Sequence, residues 1–275
     1  MLKNCLVETK AMKQQLKRQI RWWGLSLIVV LASLNLGTQT NAQTLHFTDV
    51  VLLSETNTNS LAPKSSAHEL LRSAYEKRYT WSSQFPGYTA AVEVKQGKED
   101  YRGHIRVNSD LSVEVTGIDT KDARETVENQ LRMLIVHRRR IPFDVAHKNS
   151  TFKLGTTDKT GAVEIIEQGD KAEASYKVFN QQVIQVNRLI GPHSFIVDTL
   201  DFKVTPEGYM STRYRTTLLQ PQTKQVLGEE VSEDTYTKIG EYYLPTRQVI
   251  QHSEGGKQYR AEFNFTDIQL LSGQR

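Results

Sequence analysis

The chain has 275 residues, 38% of them hydrophobic and 24% charged. This is ordinary for a globular protein and excludes collagen, coiled-coil arrays and wholesale disorder. The formal charge is +4, but residues 1–42 hold Lys3, Lys10, Lys13, Lys17, Arg18 and Arg21 against Glu8 alone, a net of +5 that leaves the remainder at −1. A near-neutral body lacks the concentrated basic surface that nucleic acid requires.

The basic stretch runs into an apolar block, Trp22 to Leu34, and then into a polar stretch ending Thr40-Asn41-Ala42. Charge, short apolar core and small terminal residue form the order of a signal peptide. The apolar block is shorter than the ~20 residues a membrane helix needs. Residues 1–42 are therefore read as an export signal cleaved after Ala42, with an uncleaved anchor as the alternative. After cleavage the protein would not be integral to the membrane. Its expected location is the periplasm or the thylakoid lumen. The only cysteine is Cys5, inside this segment, so the mature chain would have no disulfide, thiol chemistry or cysteine-bound metal.

Residues 43–64 read as a linker or docked arm, with aperiodic Thr56-Asn57-Thr58-Asn59-Ser60 followed by Pro63. A single α+β domain is expected over 65–272. Ser66 and Glu69 have the spacing of a capping box, and Ala67, Leu70, Leu71, Ala74 and Tyr75 form a helical stripe. Phe85-Pro86-Gly87 sets the limit of that helix. Three alternating runs follow around Tyr88–Val94, Tyr101–Val107 and Leu111–Val115, the period of half-buried strands. Their short connections predict antiparallel pairing.

A second helix is expected over about Lys121–Arg139, stopped by Pro142. Nine strands are then predicted at 151–155, 162–167, 174–179, 182–190, 194–202, 208–219, 225–238, 241–251 and 257–270. No long helical pattern separates them. The expected fold is α+β, mainly β: a large curved, half-barrel-like antiparallel sheet with two packing helices.

Catalytic signatures are missing. The sequence has no phosphate-binding glycine loop, no nucleophile elbow and no EF-hand, and His68-Glu69 is followed by Arg72 where a zinc motif needs histidine. No catalytic residue, metal site or cofactor is assigned. His137, Asp144 and His147 are the nearest approach to an acid–base cluster. Glu229-Glu230 and Glu233-Asp234 read as solvated strand faces. Trp81, Tyr88, Tyr236 and Tyr243 are candidate ligand-binding aromatics. Arg138, Arg139 and Arg140 are a candidate contact for an anionic partner.

Several stretches resemble a family known as domain of unknown function 3386. They include Ala74-Tyr75-Glu76-Lys77-Arg78-Tyr79-Thr80-Trp81, Phe85-Pro86-Gly87-Tyr88, Gly161-Ala162-Val163-Glu164-Ile165 and Lys238-Ile239-Gly240-Glu241-Tyr242-Tyr243-Leu244. The resemblance spans about residues 67–271 and implies a cyanobacterial or plastid setting, with no activity to carry over. The order helix, strands, helix, strands is also similar to that of periplasmic lipoprotein-carrier (LolA-like) proteins. That resemblance implies an incomplete barrel holding acyl chains. Three readings stand side by side: an exported, non-enzymatic binder of a lipid or other hydrophobic ligand, an assembly factor with a protein partner, and a hydrolase.

Overall fold

The computed structural model describes residues 66–169, 174–190 and 192–272. The signal segment and the arm at 43–64 lie outside them. Helix α1 (Ala67–Glu76) begins with the expected reciprocal cap. Ser66 Oγ accepts from the Glu69 amide at 3.2 Å, and the Glu69 carboxylate accepts from the Ser66 amide at 2.9 Å. Ala67, Leu71 and Ala74 form its buried stripe.

The helix stops at Glu76, well short of Phe85. Lys77–Tyr79 instead extend along the start of a later strand, where Tyr79 donates to the Tyr209 carbonyl and Tyr209 donates back to that of Lys77. This pairing is between residues far apart in sequence, so local periodicity gave no sign of it.

Twelve strands follow, interrupted after the third by two helices. They are β1 (Gly87–Gln96), β2 (Glu99–Asn108), β3 (Val113–Thr116), α2 (Lys121–Val136), the single-turn α3 (Phe143–Ala146) and β4 (Thr151–Thr157). The remainder are β5 (Val163–Gln168), β6 (Ala174–Phe179), β7 (Gln182–Ile190), β8 (His193–Thr205) and β9 (Gly208–Leu219). The chain closes with β10 (Val226–Ile239), β11 (Tyr242–Glu254) and β12 (Lys257–Leu270). All nine strands expected after residue 150 are present. The second helix ends at Val136, three residues early, with His137 as its C-cap. The single turn α3 was not expected.

All twelve strands form one open antiparallel sheet in the order β3-β2-β1-β12-β11-β10-β9-β8-β7-β6-β5-β4. Most neighbours are joined by hairpins. The exception is β1 against β12, which pairs the first and last strands among the described residues, with Val94 opposite Phe263. The edges of the sheet are β3 and β4, which are consecutive in the chain. The connection between them must therefore cross a face of the sheet, and it carries α2 and α3.

The sheet curls around α2. Val127, Leu131, Leu134 and Ile135 share a continuous core with Val113 and Val115 of β3 and, across the intervening strands, with Met210 of β9. A second core packs Ala67, Leu71 and Ala74 of α1 and Phe143 of α3 on Ile165, Tyr176 and Val178 of β5 and β6. Among the described residues no helix is long and apolar enough to cross a membrane.

The seam between α1 and β9 depends on Gly208. Its φ is +138°, and a Cβ there would lie 2.5 Å from the Lys77 carbonyl oxygen and 2.8 Å from the Tyr79 nitrogen. Both obstacles are backbone, so the strand would have to retreat. Gly208→Val is expected to destabilise the fold by about 2 kcal/mol or more. Urea unfolding measures this, and an unchanged midpoint would contradict the account of the seam.

Candidate functional site

Between α2 and the concave face of β8–β10 the side chains do not meet, leaving a cavity of about 150 Å³. The helix contributes Gln130, Met133 and Leu134, with His137 and Arg138 just beyond its end. The floor is Val197 and Thr199 of β8, Met210, Tyr214 and Thr216 of β9, and Glu230, Asp234 and Tyr236 of β10. Arg78 closes one side.

Strand geometry explains the acidic lining. Side chains two apart share a face, so Glu230, Ser232, Asp234 and Tyr236 all point into the concavity, while Glu233, Thr235 and Thr237 are exposed. Glu229 and Glu233 stay on the outer face, near Arg215 and Arg213. The expectation of solvated carboxylates therefore holds for one member of each acidic pair and fails for the other.

A buried chain of hydrogen bonds ties the helix to the floor. Gln130 Nε2 donates to Gln248 Oε1 at 2.7 Å, and Gln248 Nε2 donates to Asp234 Oδ1 at 2.7 Å. The Tyr236 hydroxyl donates to Asp234 Oδ2 at 3.0 Å. Gln248, from β11, is fully enclosed. Both carboxyl oxygens of Asp234 are thus engaged.

Burial is the main influence on charge here. It raises Asp234 to about 6, against the opposing pull of the Gln248 and Tyr236 hydrogen bonds and the Arg138 charge. It raises Glu230 to about 7.

The residues singled out from the sequence separate into different places. Tyr236 lines the cavity. Tyr88 does not: it is fully buried in the main core, edge-on to Trp81 and Phe85. Trp81 is also buried, stacked on Phe85 at 4.1 Å, with its indole N–H donating to the Tyr243 carbonyl. Tyr243 is half-buried, edge-on to Tyr79, with Lys203 Nζ 4.7 Å from its ring centre.

The arginine run divides. Arg139 and Arg140 are exposed, but Arg138 is 6% exposed and turned inward. The exposed helix-end cluster is therefore corrected to two residues outside and one inside. The Arg138 backbone carbonyl accepts from the Trp81 amide at 2.8 Å, which fixes the segment just as it leaves α2.

His137, Asp144 and His147 do not converge either. Asp144 pairs with Arg72 on the surface. His147 is buried, with Nδ1 2.8 Å from Glu167 Oε1. Glu167 also accepts from Ser150 and from Tyr176, each at 2.6 Å. Burial opposes its ionisation, but these donors hold it down at about 2. Serine contacts the carboxylate and not the imidazole, so the geometry is not that of a nucleophile and its base. Among the described residues no group of three or more His, Cys, Asp or Glu is placed to hold a metal.

Sequence reading named Glu230 and Asp234 but placed them on solvated faces, and it missed Gln130, Gln248 and Arg78. The usable signal was the shared parity of Glu230, Ser232 and Asp234 with Tyr236, a residue already singled out.

Comparison with known proteins adds family membership. The family model described as "Protein of unknown function (DUF3386)" matches residues 62–271. No curated protein matches. Among solved structures the chain is similar to a LolA superfamily protein from Nitrosomonas europaea, at 11% identity and TM-score 0.31, covering 77% of this chain and 96% of that one. It is similar to a DUF1329 family protein from Desulfovibrio piger, at 7% identity and TM-score 0.25, covering 76% and 93%. It is also similar to a chain of the MucA/MucB complex of Pseudomonas aeruginosa, at 9% identity and TM-score 0.20, covering 75% and 99%. Scores this low carry no functional argument.

The raised carboxyls have a thermodynamic consequence. Asp234 titrates near 3.8 when unfolded and near 6 when folded. The folded state binds more protons between those values, so stability falls as pH rises through that window and then levels off. Asp234→Asn is expected to be more stable than the parent at pH 8, by on the order of 2 kcal/mol. The difference should vanish below pH 4. Thermal unfolding across pH tests this; an Asn variant less stable at pH 8 would refute the account.

Proposed function

The chain belongs to the family of proteins of unknown function DUF3386, and we propose that it is an exported, non-enzymatic binding protein for a lipid or other hydrophobic ligand. The observation that carries this reading is the cavity between α2 and β8–β10. Interiors are normally close-packed, and a gap of this size lined by Met133, Leu134, Val197 and Met210 offers an apolar ligand what it lacks in water. The enclosed volume accommodates part of a chain molecule, with the remainder lying in the groove outside.

Export is supported by the order of charge, apolar block and small residues in 1–42. A periplasmic or lumenal location follows from that reading. The absence of catalytic motifs in the sequence and the structural arrangement of the His147–Glu167 cluster favour binding over hydrolysis. A protein partner is the second reading, supported by Arg139 and Arg140, exposed at the rim of the groove.

Native mass spectrometry of the protein purified from its host tests both parts. The expected result is a polypeptide beginning at Gln43, with an additional mass released by organic solvent. Thr199→Phe, which places a ring in the cavity, should abolish the additional mass and leave the circular dichroism spectrum unchanged. A ligand-free parent under gentle conditions would turn the reading toward the protein-partner alternative.

A further inference from the structure

The boundary between the cavity and the surface groove, its neck, is cationic: Arg78 and Arg138 line both. A molecule spanning groove and cavity would lie against them.

Arg138 is unusual for an arginine. It is nearly buried, lies over the Tyr236 ring at 4.7 Å, and its Nε has no hydrogen-bond partner. A buried donor left unmatched costs free energy that a bound acceptor would recover. Asp234 on the floor feels the Arg138 charge, but burial outweighs that pull and holds its carboxyl near 6, and its two oxygens each accept a bond from Gln248 or Tyr236. Arg78 is oriented by its bond to the Tyr75 carbonyl at 3.0 Å and stacks on the Tyr75 ring at 3.7 Å. The neck thus holds two fixed guanidinium groups, with unmet donor capacity at one of them.

We infer that the ligand is an anionic amphiphile: a carboxylate head pairs with Arg138, with Arg78 beside it, while the alkyl tail packs on Met133, Leu134 and Met210. This rests on the reading of the cavity as a ligand site and adds the ligand's charge class and polarity of entry. A guanidinium presents two parallel N–H donors that match a carboxylate. Beyond the arginines the lining is mixed: Met133, Leu134, Val197 and Met210 match a tail, while Glu230 and Asp234 on the floor are pushed toward neutrality by burial. A neutral lipid would fill the same space but could offer the Arg138 donor only a neutral acceptor, without the charge-assisted pair.

The test uses octanoate, 1-octanol and acetate, titrated calorimetrically at pH 7 into the protein purified from its host and freed of ligand. Octanoate should bind roughly tenfold or more tighter than octanol, the factor expected for a charge-assisted hydrogen bond. Acetate, which has the head alone, should bind too weakly to detect. Arg138→Gln should lose roughly tenfold for octanoate while octanol affinity stays within about twofold. In the unsubstituted protein, octanoate should shift the Arg138 Nε–H resonance further than octanol does, a readout independent of whether the variant folds. Equal affinity for octanoate and octanol, or an unmoved Arg138 resonance, overturns the inference and leaves the hydrophobic-binder reading standing. Acetate binding as tightly as octanoate overturns the amphiphile and leaves a free-anion site. If neither eight-carbon probe binds, both readings fall.

Discussion

The structure depends on one topological constraint. Strands β3 and β4 are adjacent in the chain but lie at opposite edges of the sheet. The segment joining them has to cross the sheet, and burial of its apolar side chains makes it cross the concave face. Helix α2 is the strap that results. Its Val127, Leu131, Leu134 and Ile135 supply the surface around which the strands close. Without the strap, the inward faces of β1, β2, β11 and β12 would have no apolar partner. The cavity is the part of the concavity between α2 and β8–β10 that the strap does not fill.

The strap also meets the sheet through polar groups. Gln130, Gln248 and Asp234 form a buried relay from helix to floor, where an apolar trio would pack at lower cost. Such a relay is directional, since each amide must be met by a matching donor or acceptor. It therefore fixes where α2 lies along β10 and β11 more narrowly than methylene contacts would. The buried titratable groups divide by role. Glu167 sits among donors and is held ionised at the second core, whereas Glu230 and Asp234 face the cavity and are pushed toward neutrality. Among these three carboxyl groups, burial dominates beside the cavity and matched donors dominate at the second core.

Much of the fold was legible in the sequence, because alternation and capping are local signals. The run Tyr259, Ala261, Phe263 and Phe265 is unmistakably half-buried, and Ser66 with Glu69 marks the start of α1. The misplaced ends had non-local causes. Helix α1 stops where Lys77–Tyr79 find β9, and α2 stops where Arg138 turns into the concavity. The site was less legible for the same reason. Periodicity says which residues share a face but not which face will be enclosed, so Glu230 and Asp234 looked solvated. A triple-arginine run reads as surface by composition, and only the Trp81–Arg138 backbone bond and the rings of Tyr79 and Tyr236 account for the inward turn of its first member.

The pairing of β1 with β12 also governs how the protein comes to be folded. Strand β1 lies between β2 and the last strand of the chain, with Tyr88 opposite Leu270. Its inward residues belong to the same core as Phe263 and Phe265. During synthesis the hairpins from β4 to β11 can form as they emerge, since each needs only its neighbour. The main core cannot close, because the strand that joins its first part to the meander is made last. Until then β1–β3 are a detached flap with an unpaired edge. Final assembly is a single long-range zipping step, slow by its loop-closure entropy, and the nascent chain reaches its end with its largest apolar surface still uncovered.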